Sequence, residues 1–138
     1  ISEGLSLAGA AKVMVADSST TAIELSSGVT AWNGQAGGLG STSKYVTSVL
    51  ADTVTGEITI TYNQANVGAI PAGATLILTP YVRPGAGAGV ALDTALGNGQ
   101  SGALDWGCGS ATVLVSTSRQ VPASVGTLPA NFAPSECR

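Results

Sequence analysis

The first seventeen residues carry their apolar side chains at helical spacing. Ile1, Gly4, Leu5, Ala8, Ala11 and Val15 fall on one face, and Leu7 and Met14 widen it. Ser2, Glu3, Ser6 and Lys12 mostly fall elsewhere, so residues 1–17 read as an amphipathic helix with a broad apolar side. Gly4 and Gly9 each cost roughly 1 kcal/mol against Ala in a helix interior. They therefore mark places where a neighbour packs close. The apolar pattern is already running at Ile1 with no capping residue before it, so the helix is expected to continue upstream.

After Asp17 the pattern dissolves. Residues 18–43 are rich in Ser, Thr and Gly, with Ala22, Ile23, Leu25, Val29 and Trp32 as anchors. A connection of 26 residues is long for a compact domain. It reads as a packed functional loop or as the host of a minor element, with residues 23–25 left open between a short strand and a turn. From Lys44 the period changes to two. Residues 44–50 form a strand, residues 51–55 a turn carrying Asp52, and residues 57–62 a second strand. In that second strand Ile58, Ile60 and Tyr62 share one face and Glu57, Thr59 and Thr61 the other, the mark of an antiparallel hairpin with one face on a core. Residues 63–73 are a loop. Residues 74–79 are a third strand stopped by Pro80, with Tyr81 and Val82 as an optional extension. Residues 84–102 read as a second glycine-rich loop and residues 103–108 as a short fourth strand. From Gly109 to Arg138 the chain reads as mostly irregular; residues 111–116 are strand-like, and Pro122, Pro129 and Pro134 break anything longer. The expected architecture is α+β in one domain over residues 1–138: a helix (1–17), a long loop (18–43), a four-stranded antiparallel sheet (44–108) and a tail, with the helix packed on one sheet face.

Composition adds to this picture. Charged residues make up 9% of the chain, against roughly 25% in an average soluble domain. Hydrophobic residues make up 44%, and with so little charge this argues against disorder. A surface poor in charge and rich in Ser and Thr suits an extracellular protein packed against copies of itself. The five basic residues, Lys12, Lys44, Arg83, Arg119 and Arg138, are scattered, and the net charge is −3, which argues against nucleic acid as a partner. No run approaches the roughly 18 apolar residues of a membrane span. No signal peptide is recognisable, so one is expected to have been removed or to lie outside these residues.

The two cysteines, Cys108 and Cys137, have 28 residues between them. An even count with one partner next to the C-terminus reads as a disulfide pinning the tail; two free buried thiols are the alternative. Neither a CxxC redox motif nor a zinc site fits, because the chain has no His. A bridge of this span would contribute roughly 3–4 kcal/mol on the chain-entropy view. It would also place the protein in an oxidising compartment: periplasm, cell surface or medium.

Candidate chemistry is sparse. Without His the Ser-His-Asp arrangement is excluded. Asp93 and Asp105 are the candidate carboxylate pair, set against the favoured reading of solvated loop acids. The run Gly85-Ala86-Gly87-Ala88-Gly89 superficially resembles a phosphate loop, but no Lys-Ser/Thr follows it, and it reads as a flexible surface loop. Calcium would need a dense carboxylate cluster, and the acids here are isolated. No catalytic residue, metal site or cofactor is therefore expected. Trp32 and Trp106 are assigned to the core. No Asn-x-Ser/Thr occurs.

The order of elements resembles the ectodomain of a type IV pilin, of the type IVa major-subunit kind, over nearly the whole chain. Ser2-Glu3-Gly4-Leu5 with Ala10-Ala11-Lys12-Val13 is similar to the exposed half of the pilin spine helix. Lys44-Tyr45-Val46 and Gly56-Glu57-Ile58-Thr59-Ile60-Thr61-Tyr62 resemble the first two strands, Leu76-Ile77-Leu78-Thr79-Pro80 the third, and Trp106-Gly107-Cys108 the fourth. The stretch Leu128-Pro129-Ala130-Asn131-Phe132-Ala133-Pro134-Ser135-Glu136-Cys137-Arg138 resembles the terminal disulfide loop. The departure is at the start. The family's prepilin cleavage site, methylated N-terminal residue and hydrophobic half-helix with its acidic residue match no residue here. The interval between the cysteines is also long for the family.

The resemblance implies a structural subunit of a bacterial type IV pilus. Missing apolar half-helices would bundle in the fibre core and hold the subunit in the inner membrane before assembly, while these heads tile the outside of a helical fibre. Other pilin subunits and the ATP-driven assembly machinery are the implied partners. Adhesion to host or abiotic surfaces through loops, twitching motility, DNA uptake and phage reception would follow from the fibre. Two alternatives belong to other classes: a minor pilin or type II secretion pseudopilin, and a free secreted glycan-binding module. The latter expects an aromatic platform, yet only 4% of the chain is aromatic.

Overall fold

The structure, a computed structural model, describes residues 1–85 and 87–138. Its spine is α1 (Ser2–Ser18), which begins after apolar Ile1 and buries Gly4, Ala8, Ala11 and Val15. These four positions recur at i, i+4, i+7 and i+11, one stripe of a helix, and all four are small or β-branched. Small side chains let the helix axis come close to the sheet. Gly4 shows this most directly: a Cβ there would collide with the Tyr62 ring. The Tyr62 hydroxyl donates to the Ile1 carbonyl at 2.8 Å and so ties the start of the helix to the sheet.

The sheet is antiparallel and is built from β1 (Val46–Ala51), β2 (Ile58–Tyr62), β3 (Thr75–Arg83), β4 (Val90–Ala91) and β5 (Ala103–Gly109). The spatial order is β1-β2-β3-β5. The two-residue β4 pairs with Tyr81 and Val82 on the edge of β3 that β2 has already left. Register puts Val49 opposite Ile60, Ile60 opposite Leu76, and Leu78 opposite Cys108. These residues face α1. The main core joins Ala8, Ala11 and Val15 to Val49, Ile58, Ile60, Leu76 and Leu78. The expected α+β class, hairpin, third and fourth strands and helix-on-sheet packing all stand.

Several local expectations do not. Within residues 18–43, which read as a packed loop or the host of a minor element, the structure has a 12-residue helix, α2 (Ala22–Asn33), in place of a short strand or turn at 23–25. The Thr21 side chain caps it by accepting from the Glu24 N–H at 3.1 Å. Thr21-x-x-Glu24 is a capping-box spacing, and the Glu24 carboxylate reaches back to the Thr20 hydroxyl. Leu25 and Val29 are its buried pair. Gly28 lets α2 press against α1, since a Cβ there would collide with Ser18.

Pro80 does not stop the third strand. On the β2/β4 edge it falls between the end of β2 pairing at Leu78 and the start of β4 pairing at Tyr81. On that edge its missing N–H costs no ladder bond. The second glycine-rich loop holds β4 and a helix, α4 (Leu92–Gly97), which buries Leu92 and Ala95. The Gly85-to-Gly89 run includes Ala86, which lies outside the described residues. The strand-like stretch at 111–116 is instead α5 (Leu114–Ser118). A one-turn helix, α3 (Gln64–Val67), occupies part of the 63–73 loop.

Candidate functional site

With α1 on one face of the sheet, the other face falls to the tail. On β3 the outward residues are Thr75, Ile77, Thr79 and Tyr81. On β5 their partners are Gly109, Gly107 and Asp105, with Ala103 opposite Arg83. Two consecutive outward positions of β5 are glycine, which leaves a shallow trough. The chain from Val121 to Leu128 lies across it. A Cβ on Gly107 would meet the Val121 carbonyl, and one on Gly109 the Ser124 carbonyl. Gly126 comes equally close to the Thr75 carbonyl. Ile77, Val121 and Ala123 are buried there, separate from the main core cluster.

The remaining contacts are polar and directional. Thr127 and Leu128 donate their N–H groups to the Thr75 carbonyl at 3.1 and 3.0 Å, and Thr75 N–H donates to the Thr127 hydroxyl at 2.9 Å. Glu57 and Thr79, adjacent on the same face, hold Ser124. The Ser124 hydroxyl donates to Glu57 Oε2 at 2.7 Å, and the Ser124 N–H to the Thr79 hydroxyl at 3.1 Å. The Tyr81 hydroxyl donates to the Pro122 carbonyl at 2.7 Å. Burial, together with the Glu57 carboxylate, pushes the Tyr81 phenol above its ordinary value.

At the far end the anchor is ionic. Asp105 receives Arg83 Nε at 2.7 Å on one oxygen and Arg119 Nη2 at 2.8 Å on the other. Arg83 also donates to the carbonyls of Gly87 and Arg119, at 2.7 and 2.6 Å. One guanidinium thus joins β3, the loop before β4 and the tail. Burial works against the Asp105 charge, but Arg83, the Trp106 N–H and Arg119 outweigh it and hold the carboxyl below the usual range. Asp93 is engaged elsewhere, its Oδ1 accepting from the Thr94 N–H at the start of α4. The candidate carboxylate pair is therefore two separately committed acids. Among the described residues no group of three or more His, Cys, Asp or Glu stands close enough to hold a metal ion.

The tail closes through a disulfide between Cys108 on β5 and Cys137, Cα to Cα 4.6 Å. Ser110, fully buried, reinforces it: its hydroxyl donates to the Cys137 carbonyl at 2.6 Å and its N–H to the same oxygen at 2.9 Å. Trp32 and Trp106 are half-buried at the rim of the core. Trp32 does a specific task, with its indole N–H donating to the Val49 carbonyl at 2.9 Å. Asn33 beside it makes a two-way bond to Ala51, and together they cover the outer edge of β1. Sequence reasoning missed the Arg83–Asp105–Arg119 anchor and the Glu57–Thr79–Ser124 clamp. The one signal present was Glu57 and Thr79 pointing away from the core in adjoining strands.

This architecture defines a class of protein with a rigid helix-and-sheet head whose outer face is sealed by a bridged tail. The comparisons place it further. A model of the pilin family, bacterial filament proteins, matches residues 1–138. The crystal structure of a type IV pilin from Pseudomonas aeruginosa, strain Pa110594, is similar at 46% identity. That similarity covers 99% of this chain and 94% of that one, with a TM-score of 0.92. No curated protein matches the chain. The chain belongs to the pilin family and is a structural subunit of a bacterial filament.

Proposed function

We propose that this chain is the globular head of a type IV pilin that polymerises with copies of itself into an extracellular fibre, and that the head does no catalysis. The whole-length likeness to a solved type IV pilin is the observation that carries this reading. The absence of His from the sequence and the commitment of Asp105 to two arginines support the non-catalytic part. Residues 1–138 act as one domain in this reading. An upstream apolar segment holds the subunit in the inner membrane until the assembly machinery incorporates it. No helix among the described residues is itself long and apolar enough to cross a membrane.

Within the fibre, adhesion, motility, DNA uptake and phage reception belong to the polymer. The tail is the surface most suited to touch a host or abiotic surface. It is held by the clamp, the ionic anchor and the bridge, so little conformational freedom remains to be lost on contact. It also presents apolar side chains to solvent: Leu114 is 75% exposed, Val125 63% and Phe132 39%. Ser124 and Thr127 are unsuitable probes because they hold the tail to the sheet. The test changes Leu114, Val125 and Phe132 to Ser in the full-length protein, then counts fibres and measures surface binding per fibre. Normal fibre numbers with reduced binding are expected. Unchanged binding per fibre would remove the tail as a contact surface, and normal fibres in a strain lacking the protein would remove the subunit role.

A further inference from the structure

The dipeptide Asn-Gly occurs twice, at Asn33-Gly34 and at Asn98-Gly99. In this dipeptide no Cβ stands on the following residue, so its backbone nitrogen can approach the Asn side-chain carbonyl with little hindrance. The fold treats the two copies differently. Asn33 ends α2, and its amide is engaged at both ends: Nδ2 donates to the Ala51 carbonyl at 2.8 Å, and Oδ1 accepts from the Ala51 N–H at 2.9 Å. Gly34 N–H is also taken, by the Thr30 carbonyl at 3.1 Å. Asn98 lies in the exposed turn after α4, and its side chain makes no hydrogen bond among the described residues. Gly99 N–H is held by one long contact to the Leu96 carbonyl, 3.3 Å. Gly97 and Gly99 flank Asn98, and among the described residues nothing lies within 4 Å of either Cβ position. The turn therefore has room to rotate into the attacking geometry.

We propose that Asn98 is a site of spontaneous deamidation, with water as the only co-reactant, and that Asn33 is protected by the fold. The Gly99 nitrogen attacks Asn98 Cγ. The N–Cγ bond forms, the Cγ–Nδ2 bond breaks, and ammonia leaves with the proton from the Gly99 nitrogen. Water then opens the five-membered succinimide at either carbonyl, giving Asp or its backbone-inserted isomer. The net change is amide plus water to carboxylic acid plus ammonia, and at neutral pH the product carries one new negative charge on a chain of formal charge −3. That charge appears at the C-terminal end of α4, the end where a helix disfavours it. It also stands beside a cavity of ≈ 360 Å³ lined by Leu92, Leu96, Gly99 and Gln100. The modification thus gives one loop of the head a charge that accumulates with age.

The experiment incubates the folded head at mildly alkaline pH in heavy-oxygen water and follows both amides by mass spectrometry of tryptic peptides. Asn33 falls between Lys12 and Lys44, and Asn98 between Lys44 and Arg119, so each is read separately. The same protein unfolded in urea supplies the rate of each dipeptide without the fold. Asn98 is expected to convert at close to its unfolded rate. Asn33 is expected to be slower by about thirtyfold, the factor implied by two hydrogen bonds that must break first. An Asn98→Gln variant should lose the heavy-oxygen uptake on the Asn98 peptide. Equal slowing at both sites, conversion of Asn33 at its unfolded rate, or uptake that persists in the variant would each overturn the proposal.

Discussion

The two faces of this sheet are covered in two different ways. The inner face meets α1 through Ala8, Ala11 and Val15 against Val49, Ile60 and Leu76, all fully buried and without a polar atom in their side chains. The outer face meets an irregular tail through backbone carbonyls, hydroxyls, two carboxylates and a pair of arginines. Hydrophobic burial is non-directional and scales with area, so the inner face tolerates exchange among residues of similar volume. Hydrogen bonds require partners at fixed positions, and a missing partner leaves the other unsatisfied. The outer face is accordingly the more exacting of the two, although fewer apolar side chains are buried there. The stretch 121–128 is extended but fixed and needs this kind of cover, because it has no helical or strand periodicity with which to present an apolar stripe.

That contrast can be broken by mutation, and the largest effect is expected on the inner face. Ile60→Ala removes a fully buried side chain at the centre of the sheet. It should cost about 2–5 kcal/mol, read as a fall in the urea midpoint with the slope unchanged. Val121→Ala on the outer face should cost clearly less. Equal losses would mean that the tail side is as much a hydrophobic core as the helix side.

A smaller but more local effect is expected at Gly107. Its outward Cβ would press on the Val121 carbonyl, a backbone atom that cannot swing away. Gly107→Ala should cost about 1–3 kcal/mol. It should raise hydrogen exchange at the Gly126, Thr127 and Leu128 amides while leaving those of α1 unchanged. Uniform loosening of helix and tail together would show that the two covers are one cooperative unit.

The smallest expected effect is electrostatic. The Asp105 carboxyl is held below its ordinary value in the fold, so the ionised form is favoured there over the unfolded chain. Its contribution is fully present above the unfolded pKa and is lost as pH falls through the folded one. Acidification through and below the ordinary carboxylate range should therefore weaken the Arg83 and Arg119 anchor, with no change between neutral and mildly alkaline pH. Asp105→Asn should flatten that part of the stability profile. Asp52, lowered by the Thr55 and Val54 N–H groups, contributes a slope of the same sign that the variant keeps. A wild-type profile that matches the variant would remove the anchor from the account.

Legibility followed the source of each element's order. The strands of the hairpin were readable because Ile58, Ile60 and Tyr62 alternate with polar residues, and one buried face dictates that alternation whatever the partner. Helix α1 was readable for the same reason at a period of 3.6. Helix α2 was missed although its capping box and its Leu25, Val29 pair were present, because Ser26, Ser27 and Gly28 read as loop composition. Gly28 is accommodated in the helix because it admits α1, a requirement that arises only when the two helices meet.

By itself, the chain's pattern determined the class, the hairpin and the face turned to the core, and its two cysteines pointed to the bridge. Each of these rests on period, count or composition, which local sequence carries. Only the tertiary structure decided how the tail lies. Glycines 107 and 109 are unremarkable in a strand until a carbonyl approaches them, and Asp105 is one more surface acid until Arg83 and Arg119, 22 and 14 residues away in sequence, converge on it. The protection of one Asn-Gly and the exposure of the other follow the same rule. The dipeptides are identical in covalent structure, and what separates them is the edge of β1, which Asn33 covers and Asn98 does not.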